Sequence, residues 1–258
     1  MALNTRTSFT YGHTINDDNQ YINFSEDGLT ELTATIEVGS YYLNQFTDKI
    51  ALALNSIGDN NYVVTLDRTT RKFTITGDNA FSLLVTTGTQ LSISAFSLMG
   101  FTIDKSGSNA YEADEASGNL FTPQYYLKDF QDFDNNQKPT QSKVNETTDA
   151  SYVESIIYGK KYLMECNIKY ATDITGQMAI EDNPAGVSDL RSFMEYAVQK
   201  KPMEFMPDRD NLLSFTPCIL EKATGSNDGT SFMLKEMYTQ KLANYYETGK
   251  LTFRKINS

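Results

Sequence analysis

Residues 62–66 and 72–76 are two runs dominated by β-branched and aromatic side chains, and the five residues between them, Asp67 to Arg71, are polar. Branching at Cβ narrows the χ1 choices and suits a pleated strand better than a helix. The pattern therefore predicts an antiparallel hairpin with a polar loop, in which Phe73 and Ile75 face Val63 and Leu66. Further extended runs occur from Tyr21, across residues 33–43 and from Phe81. Strands dominate this half of the chain.

One stretch breaks the pattern. Leu43, Phe46, Ile50, Leu54 and Ile57 recur at spacings of three and four, which predicts a single amphipathic helix. Gly58, followed by Asp59, Asn60 and Asn61, supplies the stop, with the glycine expected in the left-handed conformation that ends helices. Residues 20–103 thus read as strands packed on one helix.

From Asp104 to Ala150 the character changes. Residues 105–109 are rich in Gly, Ser and Asn, acids are scattered at Glu112, Asp114 and Glu115, and residues 134–149 are almost wholly polar. So little apolar surface does not offset a backbone ordering cost of about 1–2 kcal/mol per residue. The segment is expected to be a linker, or an arm ordered by a partner. Phe121, Tyr125, Tyr126, Phe130 and Phe133 stand out within it as candidate interface anchors, with local packing onto either domain as the equal alternative.

Beyond residue 151, YVESIIYG and KYLMECNIKYATDI read as two extended segments. Ser188 as N-cap, Asp189 in the first turn, and Leu190, Phe193, Met194, Ala197 and Val198 at helical spacing predict a second helix, closed by Lys200, Lys201 and Pro202. Strands are expected over 202–206, 213–220, 231–238 and 250–256, with an Asn227-Asp228-Gly229 turn. The expected fold is mainly β with two helices, an α+β chain of two domains at 1–103 and 151–258 joined by 104–150.

The 258 residues carry 22 Lys plus Arg against 33 Asp plus Glu, a net charge of −11. That balance lacks the basic face that nucleic-acid or anionic-membrane binding needs. The N-terminus has no secretory pattern, and the longest apolar stretches, residues 50–54 and 81–85, fall far below the ~20 needed to cross a bilayer. Cys166 and Cys218 show no CxxC spacing and read as reduced core thiols. His13, the one histidine, sits in a polar stretch with no nucleophile nearby in sequence, and no His/Cys zinc set can be assembled. Asp17, Asp18 and Asn19, or Asp132, Asp134 and Asn135, offer calcium-type oxygens without the 12-residue loop pattern. Arg68, Arg71, Lys72, Lys200 and Lys201 read as solvated ends. No phosphate-loop, dinucleotide, HExxH or GxSxG motif is present. The expectation is a non-enzymatic protein with no cofactor and no metal.

The run TATIEVGSYYLNQFTDKIALALN, followed by YVVTLDRTTRKFTITG, FSLLVTTG and LMGF, resembles a module of virion structural proteins from tailed bacteriophages and some other large DNA viruses. The second half, with SDLRSFMEYAVQ, PMEFMPDRD and YYETGKLTFRK, resembles tail and baseplate components of the tail-tube and distal-tail type. That resemblance implies a β-sandwich with one helix, assembly with identical subunits in a ring and with other virion proteins, and a place in the virion tail after assembly in the host cytoplasm. DNA would at most pass through an acidic channel. The N-terminal module is not a standard part of that ring fold, which leaves the position in the virion open. No catalytic residues are implied. The alternatives are a receptor- or glycan-binding tail adhesin presenting Tyr41, Tyr42 or Tyr62, and a head-to-tail or capsid-associated minor structural protein.

Overall fold

The computed structural model describes residues 8–118, 120–121, 126–131, 137–144, 154–169, 171–172, 187–207, 215–236 and 245–256. They fall into two compact units, one holding Ser8–Phe121 with Lys201–Phe215, the other Thr122–Lys200 with Thr216–Asn257. The first unit therefore extends past residue 103 and recruits a segment from far down the chain.

The first unit begins with strands β1 (Ser8–Tyr11), β2 (His13–Ile15), β3 (Tyr21–Ser25), β4 (Leu32–Thr35) and β5 (Gly39–Tyr41), then helix α1 (Leu43–Asn55). β6 (Val63–Asp67), β7 (Lys72–Leu83), a short helix α2 (Phe96–Met99), β8 (Lys105–Glu112) and β9 (Leu120–Phe121) follow. The twelve-residue β7 is the spine of a five-stranded sheet. Its start pairs with β6 from Asp67↔Lys72 to Val63↔Thr76, its end pairs with β3, and its other edge carries β8. The hairpin thus has the expected loop, but Val63 points outward and Val64 takes the core side. β8 is a paired strand where composition predicts a linker. Tyr111 and Ala113 bury there, and the Tyr111 hydroxyl donates to the Phe81 carbonyl at 2.6 Å, so two apolar anchors hold a stretch that is polar on average.

α1 buries Leu43, Phe46, Ile50 and Leu54 as its spacing requires, together with Thr47 and Ala53. Ile57 lies past the helix end and is half exposed. Gly58 is not left-handed. Its amide donates to the Leu54 carbonyl at 2.9 Å, and a Cβ there would sit 2.6 Å from Glu26 Oε1 and 2.9 Å from the Tyr62 ring, so crowding rather than backbone handedness favours glycine. The left-handed stop occurs instead after α2, a third helix beyond the two that periodicity predicts, where Gly100 has φ +82°. A smaller group of strands pairs β1 with β9 on one edge and with β14 (Met203–Met206) on the other.

The second unit contains β10 (Tyr126–Gln131), β11 (Gln137–Val144), β12 (Glu154–Lys169), β13 (Ala171–Thr172), helix α3 (Val187–Val198), β15 (Thr216–Lys222), β16 (Lys235–Glu236), β17 (Tyr245–Glu247) and β18 (Lys250–Lys255). β12 is one sixteen-residue strand, not two segments. β10 and β18 pair along opposite edges of its inner part, β11 pairs with its outer part, and β15 pairs with β18. α3 starts one residue before Ser188, so that serine is inside the helix rather than its cap. Leu190, Phe193, Met194 and Ala197 are buried, with the Phe193 and Phe253 rings 6.4 Å apart.

Lys200 is not a solvated end. Its backbone is left-handed at φ +60°, and its ammonium donates to the carbonyls of Leu220 (2.7 Å), Glu221 (3.3 Å) and Asp228. Gly229, at φ +65°, completes this turn, since a Cβ would meet the Lys200 Nζ at 2.6 Å. The Asn227-Asp228-Gly229 turn is therefore built around a lysine from the end of α3.

Candidate functional site

Of the five aromatics singled out as interface anchors, Phe121, Tyr126 and Phe130 are among the described residues. Phe121 is 3 % exposed and packs in the first unit against Phe9, with ring centroids 6.5 Å apart. Tyr126 and Phe130 lie on β10 in the second unit. Tyr125 and Phe133 lie outside the described residues, as do Asp132, Asp134 and Asn135. The three tyrosines offered as a glycan platform are buried: Tyr41, Tyr42 and Tyr62 retain 9, 3 and 2 % of their surface. The Tyr62 hydroxyl donates to Glu26 at 2.8 Å, and burial pushes its ionisation above the ordinary tyrosine range. A buried ring offers no face for sugar stacking, so these three tyrosines do not form such a platform.

His13 is not in flexible surroundings. It is on β2, its ring 4.7 Å from that of Phe46, and its Nε2 is 3.0 Å from the Ser117 hydroxyl. That hydroxyl donates to the Leu98 carbonyl, so Nε2 carries the hydrogen and Ser117 accepts it. Burial lowers the His13 pKa from 6.5 to about 4. A serine whose proton faces a carbonyl, beside an imidazole that donates to it, is a packed polar pair rather than an activated nucleophile. Cys166 and Cys218 are unbridged and buried, and desolvation raises Cys166 to about 12, away from thiolate chemistry.

The cationic residues flanking the first hairpin's loop do structural work. Arg68 forms a two-pronged ion pair with Glu204 of β14, whose side chain is fully buried. The guanidinium also donates to Asn44 Oδ1 at 2.7 Å and stacks 3.6 Å from the centre of the Phe215 ring. Arg71, left-handed at φ +57°, donates to the Gly118 carbonyl at 3.0 Å. Nothing in the sequence flags the Arg68–Glu204 pair, because its members are 136 positions apart.

Acids in the first unit serve as loop staples. Glu26 accepts from the Asp59 and Asn60 amides, both at 3.0 Å, and Glu31 accepts from the Thr89 amide at 2.8 Å. Asp104 holds the Thr86 amide at 2.6 Å, and Asp114 holds the Thr102 amide at 2.9 Å and Lys105. Burial alone would raise the Asp114 carboxyl, but its hydrogen bonds and Lys105 outweigh that and hold it at about 2. Around Asp17 and Asp18 the turn is closed by side chains of its own, with Asn19 Oδ1 accepting from the Asn16 amide at 2.8 Å.

The second unit has a half-open cleft of about 470 Å³, walled by β12, β18 and the 223–227 loop. Four of its charged lining residues are paired. Glu221 accepts from Lys161 at 2.8 Å and from Arg254 at 2.9 Å, and Lys250 lies 2.7 Å from Glu165. Burial would raise Glu221, but the two cations hold its carboxyl below the usual range, in the direction opposite to that of a general acid or base at neutral pH. Among the described residues no group of three or more His, Cys, Asp or Glu side chains is placed to hold a metal ion. No described helix is long and apolar enough to cross a membrane.

The feature with the clearest capacity to meet another molecule is β12 itself. At about 3.4 Å per residue its sixteen residues span about 54 Å, longer than the usual 3–10 residue strand. Its inner part, residues 163–167, pairs with β18 on one edge, and β10 joins on the other edge at Glu165 and Asn167. The outer part, from Glu154 to Tyr162, pairs with β11 from Val144↔Glu154 to Gln137↔Tyr162. Among the described residues, 154–159 have no strand on the opposite edge. A bulge leaves Tyr158 over, between Thr140↔Gly159 and Gln141↔Ile157. The glycine that divides the sequence into two apparent segments is a bulge neighbour inside one strand, the meaning that strand glycine often has.

No protein-family model matches the chain, and no curated protein matches it.

Proposed function

We propose that this protein is a structural subunit of a bacteriophage virion, in the tail or baseplate, which assembles with copies of itself and with other virion proteins and catalyses no reaction. One observation carries the reading: among the described residues, β11 and the outer part of β12 form a two-stranded ribbon of eight registered pairs, about 27 Å long. A lone two-stranded ribbon is marginal in water, and an unpaired strand edge is a template for another chain. Such an arm is most stable where a neighbouring subunit covers it. Two further features support the assignment. Residues 20–103 carry the module that resembles virion proteins, and the net charge of −11 suits a wall past which DNA slides without sticking. The paired charges of the cleft and the carboxylate staples fit a protein whose ionic groups hold shape.

The test combines particles and purified protein. Peptides of this chain are expected in purified virions, and negative-stain images of the recombinant protein should show rings or larger closed assemblies. A protein that stays monomeric at all concentrations and is missing from particles refutes the proposal.

A further inference from the structure

We propose that the cleft of the second unit binds a small hydroxylated carboxylate of the sugar-acid class, its carboxylate held by Lys222 and Lys250 and its hydroxyls by Glu165, Glu221 and Asn227. The cleft is built on one face of the sheet. Lys161, Leu163 and Glu165 alternate along β12, Glu165 lies opposite Thr252 of β18, and the 223–227 turn closes the side. Its volume of about 470 Å³ falls within the range of about 300–1,000 Å³ that small-molecule sites occupy. Binding here needs one copy of the chain and is independent of the assembly reading.

The charge balance calls for an anion. On a chain of net charge −11, the lysines lining this cleft outnumber its carboxylates three to two, and Arg254 adds a fourth cation beside Glu221. Glu221 meets Lys161 and Arg254, and Glu165 meets Lys250. Lys222 is left over: it is exposed, and its ammonium makes no ion pair or hydrogen bond among the described residues. Lys250 keeps a side chain 65 % exposed and N–H donors beyond the one facing Glu165. Hydrogen bonds between an ammonium and a carboxylate are charge-assisted, about twice as strong as neutral ones. The rest of the lining favours a hydroxylated body over a bare anion. Carboxylates accept through about four lone-pair sites, so Glu165 and Glu221 can take hydroxyl protons as well as the cations they already meet. The exposed Asn227 side chain, with no hydrogen bond of its own among the described residues, offers both donor and acceptor. Leu163 and Ala223 add a small apolar surface that suits the C–H face of a ring. A wholly apolar ligand would strip water from these charges without replacing its hydrogen bonds.

The experiment follows amide NMR shifts of the full-length protein during titration with sodium D-glucuronate and sodium D-galacturonate, with glucose, galactose, acetate and inorganic phosphate as comparisons at equal ionic strength. At least one uronate should bind saturably, with a dissociation constant on the order of 1 mM and shifts centred on residues 161–165, 221–227 and 250–252. The neutral sugars and the small anions should bind at least about tenfold more weakly. Lys222→Ala should weaken uronate binding about tenfold with the melting temperature unchanged, since its ammonium holds nothing in the fold. The site is overturned by an absence of saturable uronate binding up to about 50 mM, by shifts that leave the cleft residues unmoved, by acetate, phosphate or a neutral sugar binding as tightly as the uronates, or by a Lys222→Ala variant that binds as the wild type does. None of these results bears on assembly, which the particle and imaging experiments decide separately.

Discussion

His13 makes acid sensitivity a measure of the first unit's packing. The ring is neutral when folded because it lies against Phe46 and Phe73, 4.7 and 6.4 Å away, with Nε2 committed to Ser117. The folded pKa is about 4 against 6.5 for an exposed imidazole. Above 6.5 both states are neutral and the difference contributes nothing. As pH falls below 6.5 the unfolded chain binds a proton that the folded chain refuses until about pH 4, so folding loses stability across that window. Between about pH 7.5 and about pH 5 the loss is about 2 kcal/mol, and by about pH 4 it reaches about 3 kcal/mol. The window is clean in its upper part, since His13 is the one histidine and lowered carboxylates such as Asp114 act only below their ordinary range. The assay is urea denaturation of the wild type and of His13→Gln across this range. The variant is expected to start less stable, and its gap from the wild type should narrow by about 2 kcal/mol at about pH 5. Parallel stability curves, or an NMR titration placing the single imidazole near 6.5 in the folded protein, would refute the reasoning.

Other consequences are as direct. Arg68→Ala strands the Glu204 carboxylate without its cation and should destabilise by about 3–5 kcal/mol in denaturant melts, whereas replacing Arg68 and Glu204 together by Met and Leu should recover much of that loss. Gly100→Ala forces a Cβ at φ +82° onto the Glu115 carbonyl, and a loss of about 2 kcal/mol or more is expected by thermal denaturation. Cys166, fully buried with its thiol raised to about 12, should react with a thiol reagent only after unfolding, and rapid labelling of native protein would contradict its placement. Lys200→Met keeps the stem of the side chain and removes three hydrogen bonds to carbonyls, so amides of the 224–230 turn should lose hydrogen-exchange protection.

The local elements were legible where a residue's neighbours along the chain decide its environment. The Leu43–Leu54 stripe defines α1, and the 62–76 pattern yields the hairpin, because helical and pleated periodicities state which side of an element is apolar. Averages misled where a few anchors suffice: β8 looks like linker by composition, yet Tyr111 and the Asp114 staple fasten it to the sheet. The ribbon was half legible. Its polar residues suggested an arm, while the single continuous β12 and its bulge depend on which strand lies opposite.

The β-rich class, the position of α1, the first hairpin and the acidic charge all follow from composition and short-range period, and the order of residues suffices to read them. Folding in three dimensions was needed to show that Arg68 meets Glu204, that Lys200 builds the Asp228 turn, that His13 is buried neutral, and that residues 201–215 belong with the first unit. The physical reason is that periodicity records whether a side chain is covered but carries no label for what covers it. That choice is made by packing and by charge pairing between segments that the chain brings together only when folded.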